Sequence, residues 1–278
     1  MEYFELLGLT QEPFSNTPDP EFFYGSHEHK EALQRLEMAI RLKRGLSVIL
    51  GSVGTGKTTL SRTLLKTFEV DREKYLFRLI LDPNFQSEYE FVTGIMRVFE
   101  MENIPNSTIE CKNALQNNLL KLGALEEKIP VLIIDEGQLL TPTFLEVLRT
   151  LLNYETNKQK LLQVVIFGQP ELLTKIKKQP NFYDRIGLGY VINPLNHKDT
   201  TRLIKYRLIR AGLNLNRQLF NDSAIKCIYE YSKGSPRRIV ELCHESLLSM
   251  IRLEQNEVDK EIVHDSVTQK EHWNALEL

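Results

Sequence analysis

The eight residues Gly51-Ser52-Val53-Gly54-Thr55-Gly56-Lys57-Thr58 constrain this chain more than any other segment of it. They come directly after Leu46-Ser47-Val48-Ile49-Leu50, a short β-branched run that reads as a buried strand, and they lead into a helix starting near Lys57. The pattern is G-x-x-x-x-G-K-[ST]. Its glycines let successive backbone N–H groups turn inward around phosphate oxygens, and the helix start adds the positive end of its dipole. In such a loop Lys57 reaches the β- and γ-phosphates of ATP and the Thr58 hydroxyl ligates Mg²⁺. Chance supplies the bare pattern in about one in a hundred chains of this length. The strand before it and the helix after it decide for the phosphate-binding reading.

A second apolar run, Val131-Leu132-Ile133-Ile134, ends in Asp135-Glu136. It places Asp135 at the C-terminal end of a buried strand, where parallel sheets put their ligands. Asp135 is expected to hold the Mg²⁺ shell, and Glu136 to orient and activate an attacking water. An acidic loop after a strand is common in isolation. Paired with the glycine-rich loop, and with another strand (75–81) between them in sequence, it points to nucleotide hydrolysis. A nucleoside kinase would have less need of a water-activating carboxylate.

The rest of the chain fits that frame. Tyr75–Leu81, Val131–Ile134, Gln163–Phe167 and Tyr190–Ile192 read as further buried strands. Helical patterns at Glu28–Leu42, Tyr89–Glu100, Ala114–Leu125 and Phe144–Leu152 alternate with them. Strand–helix alternation predicts an α/β fold with a five-stranded parallel sheet covered on both faces. After Pro194 only helices remain, at Asp199–Ala211, Asp222–Ser232, Arg237–Leu253 and Asp259–Gln269. The expected organisation is therefore an α/β core over 1–195 and a small helical lid over 196–278. Within the core, 1–26 is an irregular segment rich in proline and aromatics.

Two arginines and a glutamine complete the candidate site. Arg237, in Gly234-Ser235-Pro236-Arg237-Arg238-Ile239, opens a lid helix where a guanidinium could report the γ-phosphate. The alternative is a solvated helix-start arginine, with Arg238 as its neighbour. Arg185, just ahead of the last core strand, could act on a neighbouring subunit's nucleotide as an arginine finger, or pair locally with Asp184. Gln169 comes after the strand that ends at Gly168 and could help position the lytic water, or be a turn residue ahead of Pro170.

Composition removes several classes. The net charge of −2 gives no global attraction to nucleic acid or anionic membrane. No apolar run approaches the length of a membrane span, and the acidic start Met1-Glu2-Tyr3-Phe4-Glu5 is unlike a signal peptide. Three cysteines without a CxxC argue against a disulfide framework. These features predict a cytoplasmic protein. His27 and His29 show no metal spacing and read as surface residues. Cys227 and Cys243 read as core thiols. Lys175, Lys177 and Lys178 read as a solvated helix end, with contact to nucleic-acid phosphates as the alternative. Phe22, Phe23 and Tyr24 are candidates for an adenine pocket and equally for core.

With these residues in view, the chain resembles the ExeA/GspA group of AAA+ ATPases, which includes relatives at pilus-biogenesis (MshM) and exosortase loci. The resemblance runs from about Tyr3 to beyond Leu253. It rests on Phe4-x-x-x-Gly8-Leu9, Pro13-Phe14-Ser15, Thr17-Pro18-Asp19-Pro20, Glu31-Ala32-Leu33 and Gly51–Thr59. It continues through Asp135-Glu136-x-Gln138, Leu161-Leu162-Gln163, Gly168-Gln169-Pro170-Glu171-Leu172 and Gly234–Ile239. The resemblance implies the AAA+ fold and ATP hydrolysis, in a hexameric ring or nucleotide-dependent oligomer, that powers or gates assembly of an envelope secretion, pilus or exopolysaccharide system. It also implies envelope secretion or pilus assembly proteins as partners, with peripheral contact at the inner membrane made through them. It supports Gln169 as polar sensor, Arg185 as finger and Arg237 as lid sensor. Gly137 stands where the family usually has alanine, and Tyr183 where many members carry a second arginine. Two alternatives stay open: a DNA-associated regulator like the transposition ATPases TniB and MuB, and a nucleotide-gated scaffold with little turnover.

Overall fold

In the computed structural model, residues 2–17, 19–155 and 160–275 are described, with backbone only at residue 20 and over 270–275. Pro18, quoted for the resemblance, lies outside the described residues. In chain order a single turn, α1 (Tyr3–Leu6), and α2 (His27–Arg41) precede β1 (Leu46–Gly51) and α3 (Lys57–Thr67). Next come β2 (Tyr75–Ile80), α4 (Glu88–Val98) and α5 (Thr108–Leu120). Then come β3 (Ile129–Ile134), α6 (Pro142–Leu152), β4 (Gln163–Gly168), α7 (Glu171–Lys177), α8 (Pro180–Tyr183) and β5 (Ile186–Ile192). The chain ends with α9 (His197–Arg210), α10 (Asp222–Ser232), α11 (Pro236–Arg252) and α12 (Lys260–Ala275). These elements fall into two compact units: 27–52 with 57–192, and 1–26 with 53–56 and 193–278.

The first unit is built on a parallel sheet in the order β2-β3-β4-β1-β5. β1, β3 and β4 are buried along their whole length, which is why they read as continuous apolar runs. β2 and β5 are the two edges. The sequence predicts both as buried strands, yet the four middle residues of β2 are half-buried and β5 alternates along most of its length. Each edge strand pairs on one side only, so it keeps partial contact with solvent. Two helices of this unit start where a side chain satisfies an orphan N–H group. Ser87 Oγ accepts from Glu90 N (3.1 Å) ahead of α4, and Thr141 Oγ1 from Phe144 N (3.3 Å) ahead of α6, with Pro142 at its first position. The predicted helix at Ala114–Leu125 is α5 continued by a wider π-type turn over Lys121–Leu125.

The second unit packs α9–α12 around Ile204, Leu219, Ile228, Ile239, Cys243 and Leu247. Asn196 caps α9 (Asp199 N to Oδ1, 2.8 Å) and Asn221 caps α10 (Ala224 N to Oδ1, 3.0 Å). The sequence reading attaches 1–26 to the α/β core; this segment packs with the helices instead. Leu7, Leu9 and Phe14 are buried in the helical core, and Phe14 meets Phe220 edge-on at 5.9 Å. Because the segment has no regular pairing, its backbone is held from outside. Thr10 N donates to Ala211 O (2.8 Å), an Arg217 guanidinium N–H to Leu7 O (2.6 Å), and Arg207 Nη2 to Ser15 O (3.0 Å). Phe22 lies under the Arg207 guanidinium, and Tyr24 donates to Asp199 Oδ1 (2.8 Å), so both belong to this core.

Candidate nucleotide site

In the sheet order β4 lies between β1 and β3, and all run the same way. The segments leaving their C-terminal ends therefore share one edge: the glycine-rich loop after β1, Asp135-Glu136 after β3 and Gln169 after β4. Open α/β sheets place their ligands along this edge. Gly54 and Gly56 have φ of +77° and +91°, values that glycine adopts without the steric cost other residues meet. At Gly54 there is also no space: a Cβ would lie 2.8 Å from Arg237 Cβ and 2.9 Å from Ser235 Oγ.

Lys57 is 8% exposed, and its Nζ donates to Gly51 O (2.7 Å) and Ser52 O (3.0 Å). Burial pulls its ammonium below the ordinary lysine value, while the carboxylates of Glu136, Asp135 and Glu171 oppose that shift. An ammonium has three donors, and two are anchored at the base of the loop. One residue on, the Thr58 hydroxyl donates to Asp135 Oδ2 (2.8 Å), joining the start of α3 to the end of β3. Asp135 is itself fixed: its N donates to Ile80 O (2.9 Å), and its Oδ1 accepts from Glu136 N (2.9 Å). A hydroxyl and a carboxylate in direct contact are hard oxygen donors of the kind Mg²⁺ takes, so the residues fit that ion.

Glu136 occupies the left-handed region, φ 49° and ψ 38°, at a cost of ~1 kcal/mol or more for a side chain of this type. The next two residues make that conformation tolerable. Gly137 is pressed against β4, where a Cβ would lie 2.4 Å from Ile166 Cγ2 and 3.0 Å from Phe167 O. Gln138 then turns back: its Nε2 donates to Glu136 Oε2 in a short contact, and its Oε1 accepts from Gln169 N at 3.0 Å. Its carbonyl accepts from Lys175 Nζ, again in a short contact, and Lys175 Nζ also reaches Leu140 O (3.2 Å).

Of the residues expected from sequence, the first unit thus joins Lys57, Thr58, Asp135 and Glu136 with Gln169, which enters through its main-chain N–H. Arg185 is exposed, and among the described residues its side chain forms no ion pair or hydrogen bond, the local pairing with Asp184 included. In the helical unit Arg237 N donates to Gly54 O (3.2 Å), while its Nε pairs with Glu241 (3.2 Å) and its side chain is largely exposed. Two expectations fail. Lys175 does not belong to a solvated helix end; it folds back onto two carbonyls, leaving Lys177 and Lys178 exposed. His29 is not at the surface but 2% exposed on the inner side of α2, because the i, i+2 spacing that separates it from His27 turns it to the core. Cys111, Cys227 and Cys243 are all buried free thiols.

The sheet order, the helical unit and the glycine-rich loop define a P-loop protein of the AAA+ class. Residues 40–176 match the AAA domain family. The chain is 34% identical to general secretion pathway protein A of Aeromonas hydrophila, over 250 residues that make up 89% of this chain and 44% of that protein. By this identity and the domain match the chain resembles the GspA-type AAA+ ATPases. It spans less than half of that relative's length. A potential ATP-binding protein of Staphylococcus aureus is 30% identical over 112 residues, 40% of each chain. Among solved structures, Cdc6p of Pyrobaculum aerophilum aligns with a TM-score of 0.70 at 16% identity, covering 94% of this chain and 72% of that one. The ORC1 protein of Aeropyrum pernix, solved in complex with DNA, aligns with a TM-score of 0.69 at 17% identity, covering 93% and 69%. At such identities these two speak for the fold alone.

Proposed function

We propose that this chain binds Mg-ATP at Gly51–Thr59 and hydrolyses it, with Glu136 as the group that activates the attacking water. The observation that carries this reading is the convergence of Lys57, Thr58, Asp135 and Glu136 at one edge of the sheet. The third donor of Lys57 would serve a phosphate oxygen. Thr58 and Asp135 would hold Mg²⁺, which when bound neutralises phosphate charge. Glu136 is exposed and keeps one carboxylate oxygen outside its contact with Gln138, as a group that takes a proton from water must. Gln169 would help position that water. Arg185, exposed and without an ion-pair or hydrogen-bond partner among the described residues, suits an arginine finger acting on a neighbouring copy, which requires a ring or other nucleotide-dependent oligomer. Arg237 would sense the γ-phosphate from the lid; its backbone grip on Gly54 O gives a route from the loop into α11.

The cellular role we infer is assembly of an envelope secretion or pilus system, resting on the identity to general secretion pathway protein A. No helix among the described residues is long and apolar enough to cross a membrane. As the sequence resemblance implies, we place the chain in the cytoplasm, held at the inner membrane by partners. The DNA-associated alternative loses its best local feature, since Lys175 of the lysine cluster is engaged with carbonyls. ATP binding and turnover by Glu136→Gln and Lys57→Ala test the site. The first is expected to hold ATP without turning it over and the second to lose ATP. Turnover surviving in both variants would end the proposal.

A further inference from the structure

We infer that Gln138 is a positioning residue for Glu136, and that Lys175 on α7 braces it; this rests on the hydrolytic reading above. The two ends of the Gln138 amide are not interchangeable. The main-chain N–H of Gln169 can only donate, so the amide oxygen must face it, as the 3.0 Å contact to Oε1 has it. That choice forces the NH₂ end toward Glu136, where Nε2 donates to Oε2. The donor is therefore fixed in direction by a group outside its own loop, at the end of β4.

The backbone beneath it is fixed as well. Lys175 Nζ binds the carbonyls of Gln138 and Leu140, and Leu140 N closes the turn onto Gly137 O (3.0 Å). Gly137 has no room for a Cβ against Ile166 and Phe167, so the turn cannot slide along β4. Without this frame an exposed glutamate in the left-handed region would sample several rotamers. With it, one carboxylate oxygen is held and the other keeps a constant direction. Displacement of a reacting group by about 1 Å costs on the order of a hundredfold in rate. That is the scale of benefit such a tether confers.

The experiment measures kcat, KM and ATP affinity for the full chain carrying Gln138→Leu, Gln138→Glu or Glu136→Gln. Gln138→Leu loses both side-chain contacts. Gln138→Glu keeps an oxygen for the Gln169 N–H but replaces the donor facing Glu136 with a carboxylate oxygen. Both are expected to lower kcat by about ten- to a hundredfold while ATP affinity stays within about twofold of the parent. A purely structural role for the contact to Gln169 would leave Gln138→Glu near full activity, and that result would overturn the inference. So would unchanged kcat in both variants. If Gln138→Leu does not fold, Gln138→Glu decides alone. The Glu136→Gln protein separates the two levels: full turnover there removes the hydrolytic reading itself. Lost turnover there, together with normal Gln138→Glu, removes only the positioning role.

Discussion

Lys57 joins burial, charge and an anchored geometry in one side chain. Each charge-assisted hydrogen bond it would give a phosphate is worth about 1.5–3 kcal/mol. Its replacement by alanine is therefore expected to weaken ATP binding on the order of a hundredfold, and ATP should no longer raise the melting temperature. Equilibrium binding of a fluorescent ATP analogue, with a thermal melt, checks both. At Gly137 the constraint is steric. Gly137→Ala drives a methyl against the branched Ile166 and the Phe167 carbonyl, so it is expected to destabilise the fold by about 1–3 kcal/mol, read from the denaturation midpoint. An unchanged midpoint would mean that β4 gives way without cost. The roles of Gln138 and Lys175 escape sequence reasoning for a physical reason. Gln138 lies two residues after Glu136 on a tight turn rather than on a helix face, so no periodic spacing pairs the two. Lys175, on a seven-residue helix, looks like any basic helix end until its target carbonyls are in place.

Among elements, α7 connects the end of β4 to the turn after β3. Lys175→Met removes the cation from two carbonyls and should speed amide hydrogen exchange over 137–140 while leaving exchange in β1 unchanged. Unaltered exchange in that turn would show that Lys175 is dispensable to it. The central strands are plain in the sequence because burial on both faces requires continuous apolar runs, as in Val131–Ile134 and Gln163–Phe167. Their neighbours are harder. The order of strands has no periodic signature, so nothing in Tyr75–Leu81 tells an edge strand from an inner one. α7 and α8 are too short to establish a helical period. The segment 1–26 reads as part of the α/β core although it packs with the helices. Prolines and aromatics announce irregular, buried chain without saying what it is buried against. The loop itself, Gly51–Thr58, is legible outright, since its chemistry depends on residue types at fixed spacing.

For the whole molecule, thiol reactivity reports on both cores at once. All three cysteines are buried, and burial raises each thiol above its ordinary value. A thiol reagent at neutral pH is therefore expected to find essentially none of them in the native protein and all three after unfolding; fast native labelling would contradict this packing. Assembly is read through Arg185. If it acts in trans, ATP turnover per chain should rise with protein concentration, and Arg185→Ala should abolish that rise with ATP affinity retained. Full activity of Arg185→Ala at high protein concentration would exclude the finger. The nucleotide is expected to be bound by one set of groups and hydrolysed by another. The direct measurement is ATP occupancy and phosphate release by Glu136→Gln beside the parent chain. The expected result is a protein that retains ATP at parental affinity with phosphate release lowered by about a hundredfold or more. Phosphate release at the parental rate would contradict it.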